Sequence, residues 1–557
     1  KIQKRNAQRL KEKQKYKIKN KTKYNYLTLM EKRKVKWNGW GYEDEEYPKD
    51  KAKKITEILS GFLGLNKDDF SPSITLDKIK VEPPEINIEE IRKKLKSSVI
   101  TSDKYERVLH SSGKSYKNLI RLRKGKVKKF PEAVIYIKDK REIETILEWC
   151  EKNEVACVPY GGGTSVVGGV DVEDIKKPVI TCDLTELNRV ISADEKSLTA
   201  TVEAGVRGPN LEQQLRKFGM ALRHYPQSFM LSTLGGWIAS RSAGHFSSRY
   251  GKIEEMIQSI EVITPKGVIR SFDVPATACG PDIPRLFAGS EGTLGIIVSA
   301  TIKCHRIPTK KFSTSFIFPD FQSACEAARI IIQSEINPPL LRILDEREFM
   351  ISSLVSGGNF NGGSLLLLGF EADNENEKTI EAEFEKSKEI CQKLGGKEEG
   401  KRKLDDWKNE YFEQPYLRDV LMDFCIVVDT LETATNWSNL MNLYEKVKTA
   451  IENAIFSHTL GGVSCRVTHV YTSGASLYFS FFAKSKKDEE EELWWEIKKS
   501  ASDAISKGKG TISHHHGVGR DHKKWAEIEL KDSLILLKGI KEFLDPRKIL
   551  NPGAIFD

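Results

Sequence analysis

The alternation of apolar and polar positions in this chain changes rhythm twice. From about Phe130, short apolar runs flank one amphipathic stretch, which predicts strands at 133–137, 156–159, 179–183 and 198–202 and a helix at 141–151. Near Pro308 the texture turns to period-two strands, at 313–317, 365–370 and 476–482, separated by helices at 321–334, 437–452 and 490–505. That order predicts an α+β protein, a mixed domain followed by one built on an antiparallel sheet. The boundaries read as a basic arm at 1–36, an irregular and helical region at 37–129 wrapped over the body, a first domain at 130–309, a second at 310–508, and a segment at 509–557 that returns to the first. The stretch up to Pro84, rich in proline, reads as irregular.

Composition supports a folded body. With 557 residues, 39% of them hydrophobic, the chain exceeds what one core usually holds and suits two joined domains. No run reaches the ~18–20 apolar residues of a membrane span, so contact with a bilayer is expected to be peripheral. The formal charge of +10 misleads, because residues 1–36 carry 15 Lys and Arg against only Glu12 and Glu31. Removing that arm leaves the body near −3, so the body has no charge signature of nucleic-acid binding. For the arm itself a solvated helix, a lipid-surface contact and a nucleic-acid contact stay open. Nine cysteines without a C-x-x-C pair fit a reducing, intracellular setting. The first residue is not Met, so a removed presequence stays open, and the terminal Ile-Phe-Asp is not a Ser-Lys-Leu address.

The most chemical segment is PYGGGTSVVGG, from Pro159 and Tyr160 through Gly161, Gly162, Gly163, Thr164 and Ser165 to Gly169, directly after an apolar run. Glycines let N–H groups turn toward an anion and leave no Cβ in its way, so the run reads as a diphosphate cradle, with a flexible surface loop as the plain alternative. It lacks the Gly-Lys-Ser/Thr of a Walker A loop and the spacing of a Rossmann fingerprint. Three further segments suit a dinucleotide. They are a turn at Gln227, Ser228, Phe229, Met230, Leu231, Ser232 and Thr233, a short helix candidate at 237–244 containing Ser240, Arg241, Ser242 and Ala243, and a glycine turn at Glu291, Gly292, Thr293, Leu294 and Gly295 that enters a strand at Ile296 and Ile297.

Six other residues invite a reading. His514, His515 and His516 are consecutive in a chain with ten histidines. If extended, the first and third share a face, which offers at most two metal ligands, so proton transfer or phosphate binding suits them better than a metal, and packing is the plain alternative. Tyr478 shares a strand face with Ser480 and Phe482, opposite Leu477, Phe479 and Phe481; by pattern alone it is a core aromatic. Arg342 lies among apolar residues and needs a partner, which Asp345 could supply. Arg418 could pair with Asp419 or Asp423.

In this order the glycine loop, the LSTLGG turn, GSEGTLGII and the terminal LDPRKILNPG resemble the vanillyl-alcohol-oxidase type of FAD-binding proteins. The resemblance implies a two-part FAD domain, a cap whose antiparallel sheet covers the flavin, and FAD as cofactor. It implies non-covalent FAD, since Gly161 to Thr164 stand where many relatives carry a flavin-linked His. SHHHGVG, WNGWGY, PPLLRILDE and CRVTHVY resemble the branch that forms ether lipids; the 2-hydroxyacid dehydrogenases, the alternative, carry Glu-His-Gly where this chain has SHHHGVG. That branch exchanges the acyl group of 1-acyl-dihydroxyacetone phosphate for a long-chain fatty alcohol, with the flavin as a covalent handle and no net oxidation. It further implies Tyr478 as acid and base, at least one of the three histidines in proton transfer, Arg342 facing the flavin, Arg418 on substrate and Thr233 near the flavin. A membrane-surface location in the peroxisome lumen, a homodimer, no bound metal and no nucleic acid complete the expectation.

Overall fold

The structure is a computed structural model that describes residues 33–356, 360–401 and 412–555. Most of the basic arm therefore lies outside the described residues. Two sheets build the first domain. One has the order β1 (Val99–Thr101), β2 (Ala133–Tyr136), β4 (Val179–Asp183), β3 (Ala156–Tyr160), with β2, β3 and β4 parallel. The helix Glu142–Asn153 buries Ile143, Ile146, Leu147 and Cys150 on it, the spacing of one helical face. The other sheet is antiparallel, in the order β5 (Val190–Asp194), β6 (Thr199–Glu203), β10 (Ile296–Lys303), β8 (Ile257–Thr264), β9 (Gly267–Arg270). A two-stranded ladder joins β7 (Met220–Ala221) to β11 (His305–Arg306). The glycine loop leaves the carboxyl end of parallel strand β3, the usual ligand side of such a sheet.

The second domain carries a seven-stranded sheet of order β15 (Lys397–Glu398), β12 (Lys310–Phe318), β14 (Ser364–Ala372), β13 (Leu340–Leu344), β17 (Gly461–Tyr471), β18 (Gly474–Lys484), β16 (Ile426–Asn436). All its pairs are antiparallel. Period two gives each face its own task. Leu341 and Ile343 on β13, Val463, Cys465 and Val467 on β17, and Leu477, Phe479 and Phe481 on β18 join the main core beneath helices such as Phe321–Gln333, Leu440–Phe456 and Glu490–Lys507. The alternate residues, Arg342, Arg466, Thr468, Tyr478 and Ser480, look into a cavity between the two domains.

Both ends of the described chain come back to that cavity. After β18 and the last cap helix, residues 513–519 cross to the first domain. Leu550 then pairs in parallel with Cys157 at the edge of the first sheet. Lys541, buried, bonds Asp545 at 2.6 Å and the carbonyls of Thr293 and Leu550, while the Asn551 amide reaches the carbonyls of Gly169 and Glu291. The terminal LDPRKILNPG thus ties the glycine loop to the 289–297 turn. The stretch before Pro84 is less irregular than its prolines predict: Lys49–Leu63 is a helix of 15 residues, ended by Gly64 in the left-handed conformation. Among the described residues no helix is long and apolar enough to cross a membrane.

Candidate functional site

The cavity measures about 840 Å³ and runs from the glycine loop, along the open face of the cap sheet, to the Lys49–Leu63 helix. At its first end Gly161, Gly162 and Gly163 are packed against neighbours that tolerate no side chain. An added Cβ would strike the Thr233 hydroxyl, the Leu231 carbonyl and the Tyr160 hydroxyl respectively, and Gly163 sits at φ +63°. Among the described residues, no N–H from Gly161 to Val166 finds a backbone acceptor. Closely packed glycines with outward donors are what a diphosphate requires, so these residues fit FAD.

The cofactor candidates divide. Pro159, Gly161, Gly162, Gly163, Thr164, Ser165, Gln227, Ser228, Ser232, Thr233, Ser240, Ser242, Ala243 and Glu291 line the cavity. Gly236, Trp237 and Ala239, on the helix Leu234–Ser240, line it as well. The others do not face it. Tyr160 packs on His110 and Phe229 on Trp237, while Leu231 packs with Trp40 and Tyr42. Arg241 pairs outward with Glu254, and Met230 packs on the core of the second sheet. Thr293 turns its hydroxyl back to the Ser290 carbonyl at 2.7 Å instead of offering it to a ligand. Gly292 packs on Pro159, Gly295 on Val262, and Leu294, Ile296 and Ile297 belong to the cores.

Mid-cavity, the histidine loop is bracketed by two carboxylates, one buried and one half-buried. Glu432 on β16 accepts the N–H groups of His514, His515 (3.1 Å) and His516 (2.7 Å) and the Ser513 hydroxyl at 3.0 Å. Glu291 accepts the N–H groups of Val518 at 2.6 Å and Gly519 at 2.9 Å. Burial raises the Glu291 carboxyl to about 7 despite those donors. Bent around Glu432, the loop does not alternate as an extended strand would. His515 and His516 both line the cavity, whereas His514 turns away to the Tyr471 hydroxyl at 2.6 Å. Burial holds all three imidazoles below their usual range, for His516 against the raising effect of Glu432.

Tyr478 faces the same space, donating to the Thr430 hydroxyl at 3.0 Å, with its ring 6.0 Å from that of His515 and 5.6 Å from that of His516. It is buried, as a core aromatic would be, yet it lines the cavity. Arg342 lines the cavity and its Nη2 lies 3.1 Å from His245 Nδ1; Asp345 is taken instead by Tyr444 and the Cys465 N–H. Arg418 gives Nη1 to the Lys114 carbonyl at 2.8 Å, while its buried Nε and Nη2 have no partner among the described residues. Asp423 pairs with Arg123 and Asp419 accepts the Trp40 N–H, so neither takes Arg418 by a hydrogen bond.

Residues to which the sequence gave no role complete the site. Arg466 and His469, both within CRVTHVY, line the cavity with Glu348 and Thr430, and Glu432 holds the histidine loop. His469 brings a third imidazole to His514 and His515, their ligand-capable atoms lying within 4.8 Å of one another. Both ring nitrogens of His469 and of His514 already have hydrogen-bond partners, among them the Gly244 carbonyl and Tyr471. At the far end the cavity is apolar. Ile55, Ile58, Leu59 and Phe62, at i, i+3, i+4 and i+7 of the Lys49–Leu63 helix, face Met350, Leu354, Leu417, Leu421 and Phe482. That end opens outward: Phe62 is 57% exposed, and Leu354, Phe456 and Leu460 are exposed beside it.

Two family descriptions match this chain. The family described as "FAD binding domain" matches residues 131–273, and "FAD linked oxidases, C-terminal domain" matches residues 307–555. The alkyldihydroxyacetonephosphate synthase of Dictyostelium discoideum is 30% identical over 94% of this chain and 93% of its own. That of Trypanosoma brucei brucei is 30% identical over 94% and 92%. A solved alkyldihydroxyacetonephosphate synthase superposes with a TM-score of 0.79 at 28% identity, covering 94% of this chain and 99% of that one.

Proposed function

The chain belongs to the FAD-linked oxidase family, and within it we propose that it forms ether lipids, replacing the acyl group of 1-acyl-dihydroxyacetone phosphate by a long-chain fatty alcohol and releasing a fatty acid. One observation carries this reading. A single cavity joins a dinucleotide cradle, a tyrosine beside two neutral imidazoles, and an apolar end that opens to the surface. A dehydrogenase of small hydroxy acids needs no such apolar extension, whereas two long chains do.

Gly161 to Ser165 with Ser228, Ser232 and Thr233 would hold FAD non-covalently, and the bound flavin would supply an electrophilic handle for an exchange without net oxidation. The chain's own residues do the rest. Tyr478 gives a proton to the departing carboxylate and takes one from the arriving alcohol, with His515 and His516, kept neutral by burial, as acceptors close by. Arg342 stabilises negative charge at the cofactor end, and Arg418, whose Nε and Nη2 are unpaired among the described residues, takes the substrate phosphate. Exposed Phe62, Leu354, Phe456 and Leu460 set the open end against a membrane surface from which both lipids enter. Residence in the peroxisome lumen and assembly as a homodimer belong to the same reading.

The test is anaerobic. The yellow protein receives palmitoyl-dihydroxyacetone phosphate without an electron acceptor, and then hexadecanol. Flavin bleaching with palmitate release, followed by recovery of the oxidised spectrum and the alkyl product, is expected. An unchanged spectrum without ether product rejects the reading, and bleaching by a 2-hydroxy acid moves the chain to the dehydrogenases.

A further inference from the structure

Arg466 stands directly opposite Tyr478 in the β17–β18 ladder, so both side chains leave the sheet on the cavity face. Its guanidinium carbon lies 4.3 Å from the centre of the tyrosine ring. The side chain is 8% exposed and is held by Glu348, which accepts from Nη1 at 2.5 Å. Glu348 also takes the Ser464 hydroxyl, which fixes the carboxylate from a second direction.

We propose that Arg466 is a positioning residue for the proton of Tyr478: its guanidinium over the ring stabilises the phenolate left when the proton departs. The proposal rests on the reading of Tyr478 as acid and base. In the leaving half the Tyr478 O–H bond breaks and the proton goes to the departing carboxylate oxygen. In the arriving half the O–H bond of the alcohol breaks and its proton returns to Oη. No electrons are gained or lost in either transfer. A neutral phenol meets the cation only through its ring quadrupole, whereas a phenolate presents a full charge at short range in a dry site.

The other groups around the ring do not supply that charge. His515 and His516 are held neutral by burial, and Thr430 accepts the Oη proton as an uncharged hydroxyl. Glu432, across the sheet on β16, is engaged by the histidine loop, and Asp429 is paired with Lys498 at 3.3 Å. Among the described residues, Arg466 is a cation that lies over this ring.

The test uses the FAD-loaded protein and needs no substrate. The phenolate absorbance of Tyr478 is isolated by subtracting the same titration of Tyr478→Phe, made in each background. Arg466→Met is expected to raise the midpoint by about one pH unit, roughly a tenfold loss of phenolate at a given pH. Arg466→Lys should keep most of the effect. Glu348→Gln, which leaves the guanidinium without its counter-charge, should lower the midpoint, a sign that a merely structural role cannot give. In turnover, Arg466→Met should lose about tenfold in kcat with KM nearly unchanged. A midpoint unmoved in Arg466→Met, or raised in Glu348→Gln, overturns the proposal. Full exchange activity in Tyr478→Phe instead overturns the reading of Tyr478, and the titration tells the two failures apart.

Discussion

Glu432 is the direct cross-strand partner of Tyr478, and the same carboxylate collects the backbone of the three histidines. Tyrosine and imidazoles, 36 residues apart in the chain at the least, are therefore indexed to one another by a single buried acid. A mutation at Glu432 should accordingly disturb chemistry before cofactor binding.

Glu432→Gln keeps the shape but exchanges one acceptor for a donor aimed at an N–H group. Losing a charge-assisted bond costs about 1.5–3 kcal/mol, or roughly ten- to a hundredfold in rate if it is expressed in the transition state. The expected outcome is that fall in kcat with normal flavin content, measured by the exchange assay and by absorbance. Loss of flavin in proportion to activity would argue that Glu432 merely holds the fold.

Gly163→Ala should empty the cofactor site. The position lies at φ +63°, where an L side chain costs about 1–2 kcal/mol, and the new methyl meets the Tyr160 hydroxyl. Purified protein is expected to be largely colourless and to regain colour only at high added FAD, as read by fluorescence titration. Gly267→Ala, with φ +103° but open space around it, serves as the control for backbone strain alone.

Acid should destabilise the protein earlier than its carboxylates require. Burial lowers the folded pKa of His224 and His469 to about 3 and that of His305 to about 4, and those of His514, His515, His516 and His522 lie below the usual value as well. As pH falls below 6.5 the unfolded chain takes up protons that the folded one refuses, so stability is full above 6.5 and is lost progressively toward pH 3 to 4. Thermal midpoints recorded from pH 7.5 to 4.5 should decline through this window. The slope should be shallower in His469→Gln, because one proton fewer separates the two states.

Phe62→Glu, at the open end of the cavity, should weaken attachment to vesicles. Removing one apolar side chain from a membrane interface forfeits about 1.5–3 kcal/mol, a tenfold or larger fall in partitioning. Co-sedimentation with phosphatidylcholine vesicles measures it. FAD content and turnover of a short-chain, soluble substrate should stay near those of the unaltered protein, which separates docking from chemistry.

Much of this was legible in the residues, and the remainder was hidden for a physical reason. The glycine loop declares itself because its requirement is local, namely backbone that no Cβ permits. Period two in LYFSFF separated Tyr478 from Leu477 and Phe479, although pattern alone could not say that its face was a cavity. Glu432 escaped, and Arg466 and His469 were noticed only as letters of CRVTHVY, because their roles lie in strand register, which brings residues from β16, β17 and β18 side by side. The alternation expected of the three histidines failed for the same reason, since a distant carboxylate bends their backbone. The Lys49–Leu63 helix was less hidden. Ile55, Ile58, Leu59 and Phe62 spell its face, but the surrounding prolines point to irregular chain.

The bracket of Glu291 and Glu432 also orders events in time. Each acid belongs to a domain made earlier, and the backbone they grasp is made after both. The seven-stranded sheet, with Tyr478 and His469 on it, is complete in the chain before His515 and His516 are made. Only when residues 513–519 emerge and thread between the two acids does the protein acquire chemistry. A stop just before them removes the histidine loop together with the terminal segment that braces the glycine loop, so both chemistry and cofactor binding are expected to fail.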